Sequence, residues 1–344
     1  NRTHCMLPLS TLSCYIPFHE INHIYSYFYS GSVISYVLLL NPPFSKAPTA
    51  LAGWHSLPQV ARACGVKSSG WQISREGANL TTSRHKIRLF AESRRMEVNG
   101  TLVWLNAPLT AYPTGSTRFF LSPADAADLN TLHQQITSRL PQNKSQRFFT
   151  VMLDPGHGGE DSGARSSITG QHEKDLTLDI AKRIGTALAR DPIQVVIIRN
   201  DDFTMSLDQR TSIAAKNKID CFVSIHANSA ANLNAEGFET YILPAAGYPA
   251  TNGGEIREPG IGNKWKPANL TLAYTIHNRL VKLGYADRGL KRARFYALQH
   301  STCPAILVEV GFLSNNREAR LLNTPAHRQK IADTIAAGIR DYAR

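Results

Sequence analysis

Cysteine is sparse in this 344-residue chain. Cys5, Cys14, Cys64, Cys221 and Cys303 form no C-x-x-C pair and no structural-zinc spacing, so they argue against a zinc ribbon and define no redox compartment. Cys221 and Cys303 lie in or beside apolar runs and are expected to be buried small hydrophobes. Long hydrophobic runs are also missing. Residues 32–40 form the one sustained run of the first fifty, far short of the ~20 residues needed to span a bilayer, so no stable membrane span is expected there. That length fits the core of a secretory signal, and Ala50-Leu51-Ala52 has the small-x-small form of a cleavage site, although Arg2 is the only basic residue before the run. Residues 1–52 are therefore expected to be a leader segment and the protein to be exported.

Acidic residues are few beside basic ones, 26 against 38, for a formal net charge of +12. The excess is concentrated: residues 53–147 carry twelve Lys and Arg against five Asp and Glu, while residues 148–344 carry twenty-four against twenty. Such a balance attracts a polyanion, whether nucleic acid, an anionic membrane or an acidic wall polymer. No helix-turn-helix and no aromatic RNP strand accompanies it, so nucleic acid is not expected as a partner. A diffusely basic surface is the plain alternative. With 42% hydrophobic and 19% charged residues the composition is globular.

Two folded regions are expected. In residues 53–140, the runs 96–98 and 101–105 flank Asn99-Gly100, a strong two-residue hairpin signal, and residues 86–91 and 118–121 read as further strands. Ser122 then caps a helix with Pro123 at its first position, and Leu129, Leu132 and Ile136 share one side. Residues 141–147 are a polar linker. From 148 to 344 apolar strands (148–153, 194–199, 221–225, 237–243, 305–310) alternate with helix-period segments (174–189, 207–217, 270–283, 325–342). That alternation predicts an α/β fold, a mostly parallel twisted sheet flanked by helices, preceded by a small α+β accessory domain.

The segment Leu153-Asp-Pro-Gly-His-Gly-Gly-Glu160 places His157 where a buried strand breaks into a glycine-rich turn. His226 ends the strand Cys221-Phe-Val-Ser-Ile-His226, Glu309 ends Ala305-Ile-Leu-Val-Glu309, and Glu173 opens the first helix of this region. Ligands of open α/β sheets bind beyond the carboxyl ends of the strands, so the strand-end residues should meet on one rim. Two histidines and a carboxylate with an open position form the ligand set of several catalytic zinc sites. A further carboxylate, Glu309, could take a proton from water and pass it to a leaving amine. Each has a plainer reading: a strand-end histidine can be structural, and Glu173 can simply favour a helix N-terminus. Glu309 in an apolar run is harder to dismiss, because an unpaired buried carboxylate is costly. Spacing alone admits His172 as readily as Glu173.

The motifs Leu153-Asp-Pro-Gly-His-Gly-Gly-Glu-Asp-Ser-Gly-Ala164, His172-Glu-Lys-Asp-Leu176, Ser206-Leu-Asp-Gln-Arg210, Ser224-Ile-His-Ala-Asn228, Asp287-Arg-Gly289 and Val308-Glu-Val-Gly-Phe-Leu-Ser-Asn315 resemble, in order, those of the zinc-dependent N-acetylmuramoyl-L-alanine amidases of the Amidase_3 family. The resemblance implies Zn2+ held by His157, Glu173 and His226, with Glu309 as the catalytic carboxylate. It also implies hydrolysis of the amide between N-acetylmuramic acid and L-alanine in peptidoglycan, hence action in the periplasm or cell wall. A zinc carboxypeptidase or deacetylase, or a wall-binding protein that no longer turns over, are the competing readings. Arg210, Asn228 and Arg288 are candidate substrate contacts, against salt bridges or loop support.

Some members of that family carry a regulatory helix that covers the site until an activator removes it. Residues 244–267 here show no helical period, which argues against such self-inhibition; Glu255 and Glu258 are expected in a solvated loop. Residues 54–140 resemble, through the Met96–Asn106 hairpin and the Arg118–Ser122 strand with its helix, the copper amine oxidase N-terminal-like domain. That implies an accessory module without copper, since His55, His85 and His133 share no ligand-like spacing.

Overall fold

The computed structural model describes residues 51–82, 85–135, 148–254, 256 and 258–344. Residues 1–50 of the expected leader, Ile136 and the expected linker at 141–147 lie outside the described residues. The first part runs β1 (His55–Ser56), α1 (Leu57–Ala63), β2 (Trp71–Ser74), β3 (Gly77–Thr81), β4 (Lys86–Phe90), β5 (Arg95–Val98), β6 (Thr101–Trp104), β7 (Thr110–Ala111), β8 (Phe119–Leu121) and α2 (Pro123–Gln135). The second runs β9 (Phe149–Pro155), α3 (Glu173–Leu188), β10 (Ile193–Ile197), α4 (Leu207–Lys216), β11 (Cys221–Asn228), β12 (Phe238–Ile242), α5 (Lys266–Val281), β13 (Asp287–Arg292), α6 (Tyr296–Gln299), β14 (Ala305–Phe312), α7 (Asn316–Leu322) and α8 (Pro325–Ala343).

Eleven strands form one sheet in the order β10-β9-β11-β14-β12-β13-β6-β5-β4-β3-β2, and β1-β8-β7 form a small second sheet. The β10, β9, β11 and β14 neighbours are parallel, as are β12 and β13, while β12 meets β14 antiparallel. Strand alternation divides the side chains between two unequal layers. Val151, Leu153, Val223, Ile225, Ile306 and Val308 join the large core, which also takes in the apolar faces of α3, α5 and α8. Met152, Phe222, Tyr241 and Leu307 point the other way, into a small cluster with Ala214 of α4 and Ala297 and Leu298 of α6. One face is thickly covered; the other is left partly open towards the strand ends.

The Asn99-Gly100 turn joins β5 to β6 as expected, with both residues at positive φ (52° and 81°), the geometry a two-residue hairpin demands. Ser122 Oγ accepts the Asp125 amide at 3.2 Å, the cap read from the sequence. Cys64, Cys221 and Cys303 are buried free thiols.

Although the sequence divides near residues 141–147, the hairpins of the first part extend the sheet of the second. Leu290 of β13 pairs with Val103 of β6, the Asp287 carboxylate accepts the Leu102 amide at 2.8 Å, and buried Arg292 donates to Asp128 at 2.8 Å. β13 itself gave no strand signal, because Asp287-Arg-Gly-Leu-Lys-Arg292 is mostly polar. Beyond buried Leu290, its inward side chains are satisfied by ion pairs from Lys291 to Glu239 and from Arg292 to Asp128. Among the described residues no helix is long and apolar enough to cross a membrane.

Candidate metal centre

The open face places the site. In β11 the alternation sends Val223 and Ile225 into the large core and leaves Ser224 and His226 on the thin side. The β11/β14 register sets His226 opposite Glu309, and the β12/β14 register sets Glu239 opposite Glu309. His226, Glu309 and Glu239 therefore stand in a row across three adjacent strands. His157 enters from the loop after β9, and Glu173 reaches over the strand ends from the first residue of α3.

Three of these residues converge. Donor atoms of His157, Glu173 and His226 all lie within 4.8 Å of one another, the one group of this kind among the described residues. Glu173 Oε1 is 3.1 Å from His157 Nε2 and 2.9 Å from His226 Nδ1. Its two oxygens also accept the backbone amides of Ala227 at 3.0 Å and Ala164 at 2.9 Å, which fix the carboxylate plane. On the far side of the ring, Asp161 sits 2.8 Å from His157 Nδ1. A carboxylate accepting from Nδ1–H leaves the Nε2 lone pair facing the centre, the arrangement typical of a metal-ligating histidine. His172 stays outside the group and caps α3 through backbone alone. The geometry thus selects Glu173 from the pair that spacing left open.

Electrostatics points the same way. Burial would raise the Glu173 carboxyl, but the hydrogen bonds and charge of His157 and His226 outweigh it and hold it well below the usual range. Burial likewise opposes protonation of His157, yet Glu173 and Asp161 together raise its pKa. Clustered negative charge of this kind is what a divalent cation neutralises. Glu309 is different: burial, followed by repulsion from Glu173 and Glu239, pushes its carboxyl well above the ordinary value, with Lys291 opposing. The residue is half-buried, but its Oε2 is enclosed and has no hydrogen-bond partner. Two imidazoles, one carboxylate and an adjacent unpartnered carboxyl oxygen fit a borderline cation such as zinc with a reacting group beside it.

The loop carrying His157 is under strain and is braced. His157 has φ 64°, a left-handed conformation that a non-glycine residue adopts at a cost. Beneath it two buried arginines hold successive carbonyls. Arg199 donates to the oxygens of Pro155 (3.0 Å) and Gly156 (2.9 Å), and Arg210 to those of Pro155 (3.0 Å) and His157 (2.6 Å) as well as to the Asp154 carboxylate (2.5 Å). Gly163, at φ +62°, must be glycine for a spatial reason too: a Cβ there would lie 2.6 Å from Glu173 Oε2 and 2.6 Å from His157 Cδ2.

Residues 151–341 match the family described as N-acetylmuramoyl-L-alanine amidase, more than half of the chain. The chain belongs to that family. It is 36% identical over 196 residues to N-acetylmuramoyl-L-alanine amidase LytC of Bacillus subtilis, a stretch covering 57% of this chain and 36% of LytC. It is 31% identical over 231 residues to amidase AmiA of Escherichia coli, covering 60% of this chain and 80% of AmiA. The chain thus spans about a third of one relative and most of another. The structure of the amidase Ami1 from Mycobacterium smegmatis superposes with a TM-score of 0.50 at 22% identity, covering 58% of this chain and 99% of that one, a likeness of fold.

The remaining expected residues of the amidase region separate by surroundings. Arg210 is buried, and the bonds described above tie it to the loop, which is scaffold geometry. Asn228 donates to Glu239 at 3.1 Å, and Arg288 donates its Nε to the same carboxylate at 2.5 Å while its side chain stays 36% exposed. Glu239, which sequence reasoning missed, collects these two together with Lys291 Nζ (2.6 Å) and Tyr241 Oη (2.6 Å). The available signal was an acid inside the apolar strand Phe238-Glu-Thr-Tyr-Ile242, the same signal that singled out Glu309. Asp161 and Arg199 were also missed. Glu258 is exposed and stands outside the donor group, and Glu255 lies outside the described residues. Of residues 244–265, those described outside the 3-10 turn (Ile261–Trp265) form no helix or strand, and the turn packs on α6, where Gly262 meets the Leu298 carbonyl. His85 and His133 meet edge to face at 6.0 Å within the first part and join no group of metal donors among the described residues.

Proposed function

We propose that the chain hydrolyses the amide between the lactyl group of N-acetylmuramic acid and L-alanine in peptidoglycan, with zinc held by His157, Glu173 and His226 and with Glu309 as the catalytic carboxylate. The observation that carries this reading is the enclosed, unpartnered Glu309 Oε2 beside the three-donor group, in a chain of the amidase family. Zinc in such a site lowers the pKa of water to about 7 and polarises a carbonyl. Glu309 takes the proton of the attacking water and delivers it to the departing L-alanine nitrogen as the C–N bond breaks. Burial suits it to the second task, because a raised pKa keeps the proton on the carboxyl until the departing amine, a much stronger base, takes it. Asp161 keeps His157 in one tautomer, and Arg199 and Arg210 keep its backbone in place. These groups are positioned before substrate arrives, so little reorganisation remains for the reaction.

Residues 53–140 resemble a copper amine oxidase N-terminal-like module, and their basic excess favours an anionic wall polymer as the surface they meet. On this reading the protein is exported, to the periplasm or the wall. Mass spectrometry of the products released from purified peptidoglycan, with and without a chelator, tests bond and metal together. Stem peptides with a free L-alanine amine and intact glycan chains are expected, and none of either with the chelator. Shortened peptides still attached to muramic acid would overturn the reading in favour of a carboxypeptidase.

A further inference from the structure

The cleft beside the metal centre has a volume of about 520 Å³ and runs from Glu309 and His226 to an apolar flank. That flank, at the start of α4 and around the N-terminus of α6, is uncovered. Leu207 is 53% exposed and Phe295 37%, and both line the cleft with Met205 and Tyr296. Apolar side chains open to water at a catalytic cleft are unfavourable unless a ligand covers them. These are also held in place. Phe295 packs edge to face on Tyr241 at 5.1 Å, Tyr296 stacks on His300 at 3.9 Å, and its hydroxyl bonds Asp208 of α4, tying the two helices together. Beyond the residues that line the cleft, next to Glu309 on the neighbouring strand β12, Glu239 carries two cations from β13: Arg288, whose side chain is 36% exposed, and Lys291 behind it on the same carboxylate. Arg288 and Phe295 flank the two ends of β13, and the four steps from Arg288 to Arg292 alone span roughly 13 Å.

Resting on the amidase reading above, we infer that the Leu207–Phe295–Tyr296 flank is the subsite for the sugar of the substrate, and that the peptide leaves the scissile bond in the other direction, towards Arg288. The chemistry of the two halves decides the assignment. The carbon-bound face of a pyranose ring and an acetamido methyl group are apolar and flat, and they cover an aromatic side chain well. The peptide ends in a carboxylate, which belongs beside the cations of β13. The scissile amide joins these halves and lies at the level of His226 and Glu309, between the two. The flank's continuity with the metal centre in one cleft makes the substrate itself the occupant.

The test compares two substrates with the same scissile bond, a disaccharide-bearing muropeptide and an N-lactoyl peptide that lacks the sugar. Wild-type protein should favour the first in kcat/KM. In Phe295→Ala the ratio of the two kcat/KM values should fall about tenfold towards unity, the loss expected for one ring contact, and in Leu207→Ala it should fall in the same direction. Phe295→Tyr should keep most of the preference, and Ile73→Ala, far off on edge strand β2, should leave the ratio alone. Thermal melting of each variant separates misfolding from lost recognition. Equal losses on both substrates would assign the flank to the peptide and overturn the inference, as would a wild-type protein indifferent to the sugar. Cleavage of neither substrate by the zinc-loaded protein would instead count against the amidase reading.

Discussion

Replacing Arg210 by alanine tests whether the loop that presents His157 is held from below. The Arg210 side chain is 5% exposed and that of its partner Asp154 3%, so the pair is cut off from water. Without the guanidinium, Asp154 keeps only Ser224 Oγ at 2.8 Å among the hydrogen bonds of its carboxylate, and the carbonyls of Pro155 and His157 lose donors at 3.0 and 2.6 Å. Removing one partner of a buried pair typically costs about 3–5 kcal/mol, since the other charge stays buried and uncompensated. Against a total stability of roughly 5–15 kcal/mol that is a large fraction. With a urea slope of about 3 kcal/mol per molar, the unfolding midpoint should fall by roughly 1 M. The paired change Asp154→Asn with Arg210→Met removes both charges and should recover a good part of the loss. Urea titration followed by circular dichroism, alongside steady-state kinetics, reads both effects. If Arg210→Ala unfolds with the wild-type protein while KM rises tenfold, Arg210 is a substrate contact and the bracing argument fails.

Glu309→Gln should reduce turnover at least a thousandfold while zinc content stays near one per chain; loss of the metal would show that a ligand had been taken for the proton carrier. His157→Ala and His226→Ala should lose metal and activity together, read by elemental analysis, and an unchanged zinc content would refute the ligand assignment. Gly163→Ala alters no donor yet drives a methyl group against Glu173 and His157, so zinc affinity should drop roughly 10- to 100-fold, measured by chelator competition. For Glu239, burial would raise the carboxyl, but Lys291, Tyr241 and Arg288 hold it below the usual value. Its contribution to stability is therefore present above about pH 4.3 and lost as pH falls through the lower folded-state value; Glu239→Gln should flatten that acid limb of the unfolding curve, and an unchanged limb would exclude the group.

Much of the amidase region was legible because its chemistry sits where strand periodicity ends. Glu309 stood out as a carboxylate in an apolar run, and His226 as the polar end of Cys221-Phe-Val-Ser-Ile. Glu239 obeys the same rule but escaped notice, because its neighbours Thr240 and Tyr241 soften the apolar pattern. β13 could not be read at all: its burial depends on partners 52 residues away at Glu239 and 164 away at Asp128, and no local window contains them. The choice between His172 and Glu173 also lay beyond spacing. It depends on which side chain clears the α3 N-terminus to meet two strands, and that is a tertiary fact. The shared sheet is a further case. A polar stretch between two patterned regions reads as a boundary, yet β6 and β13 pair across it through a single bridge and a set of buried ions.

That shared sheet bears on how the site keeps its charges apart. Burial raises the Glu309 carboxyl above its ordinary value, and the charges of Glu173 and Glu239 add to that rise. The protein treats them differently. Glu173 is directed at the metal donors, so a cation there offsets it. Glu239 is offset permanently by Lys291 and Arg288, both on β13. β13 is also the strand that carries the first region's hairpins, through Leu290, Asp287 and Arg292. The first region therefore steadies the strand that neutralises Glu239, the neighbour of Glu309. A change in β6 such as Val103→Asp should therefore disturb Lys291 and turnover before it disturbs zinc, read by steady-state kinetics beside elemental analysis.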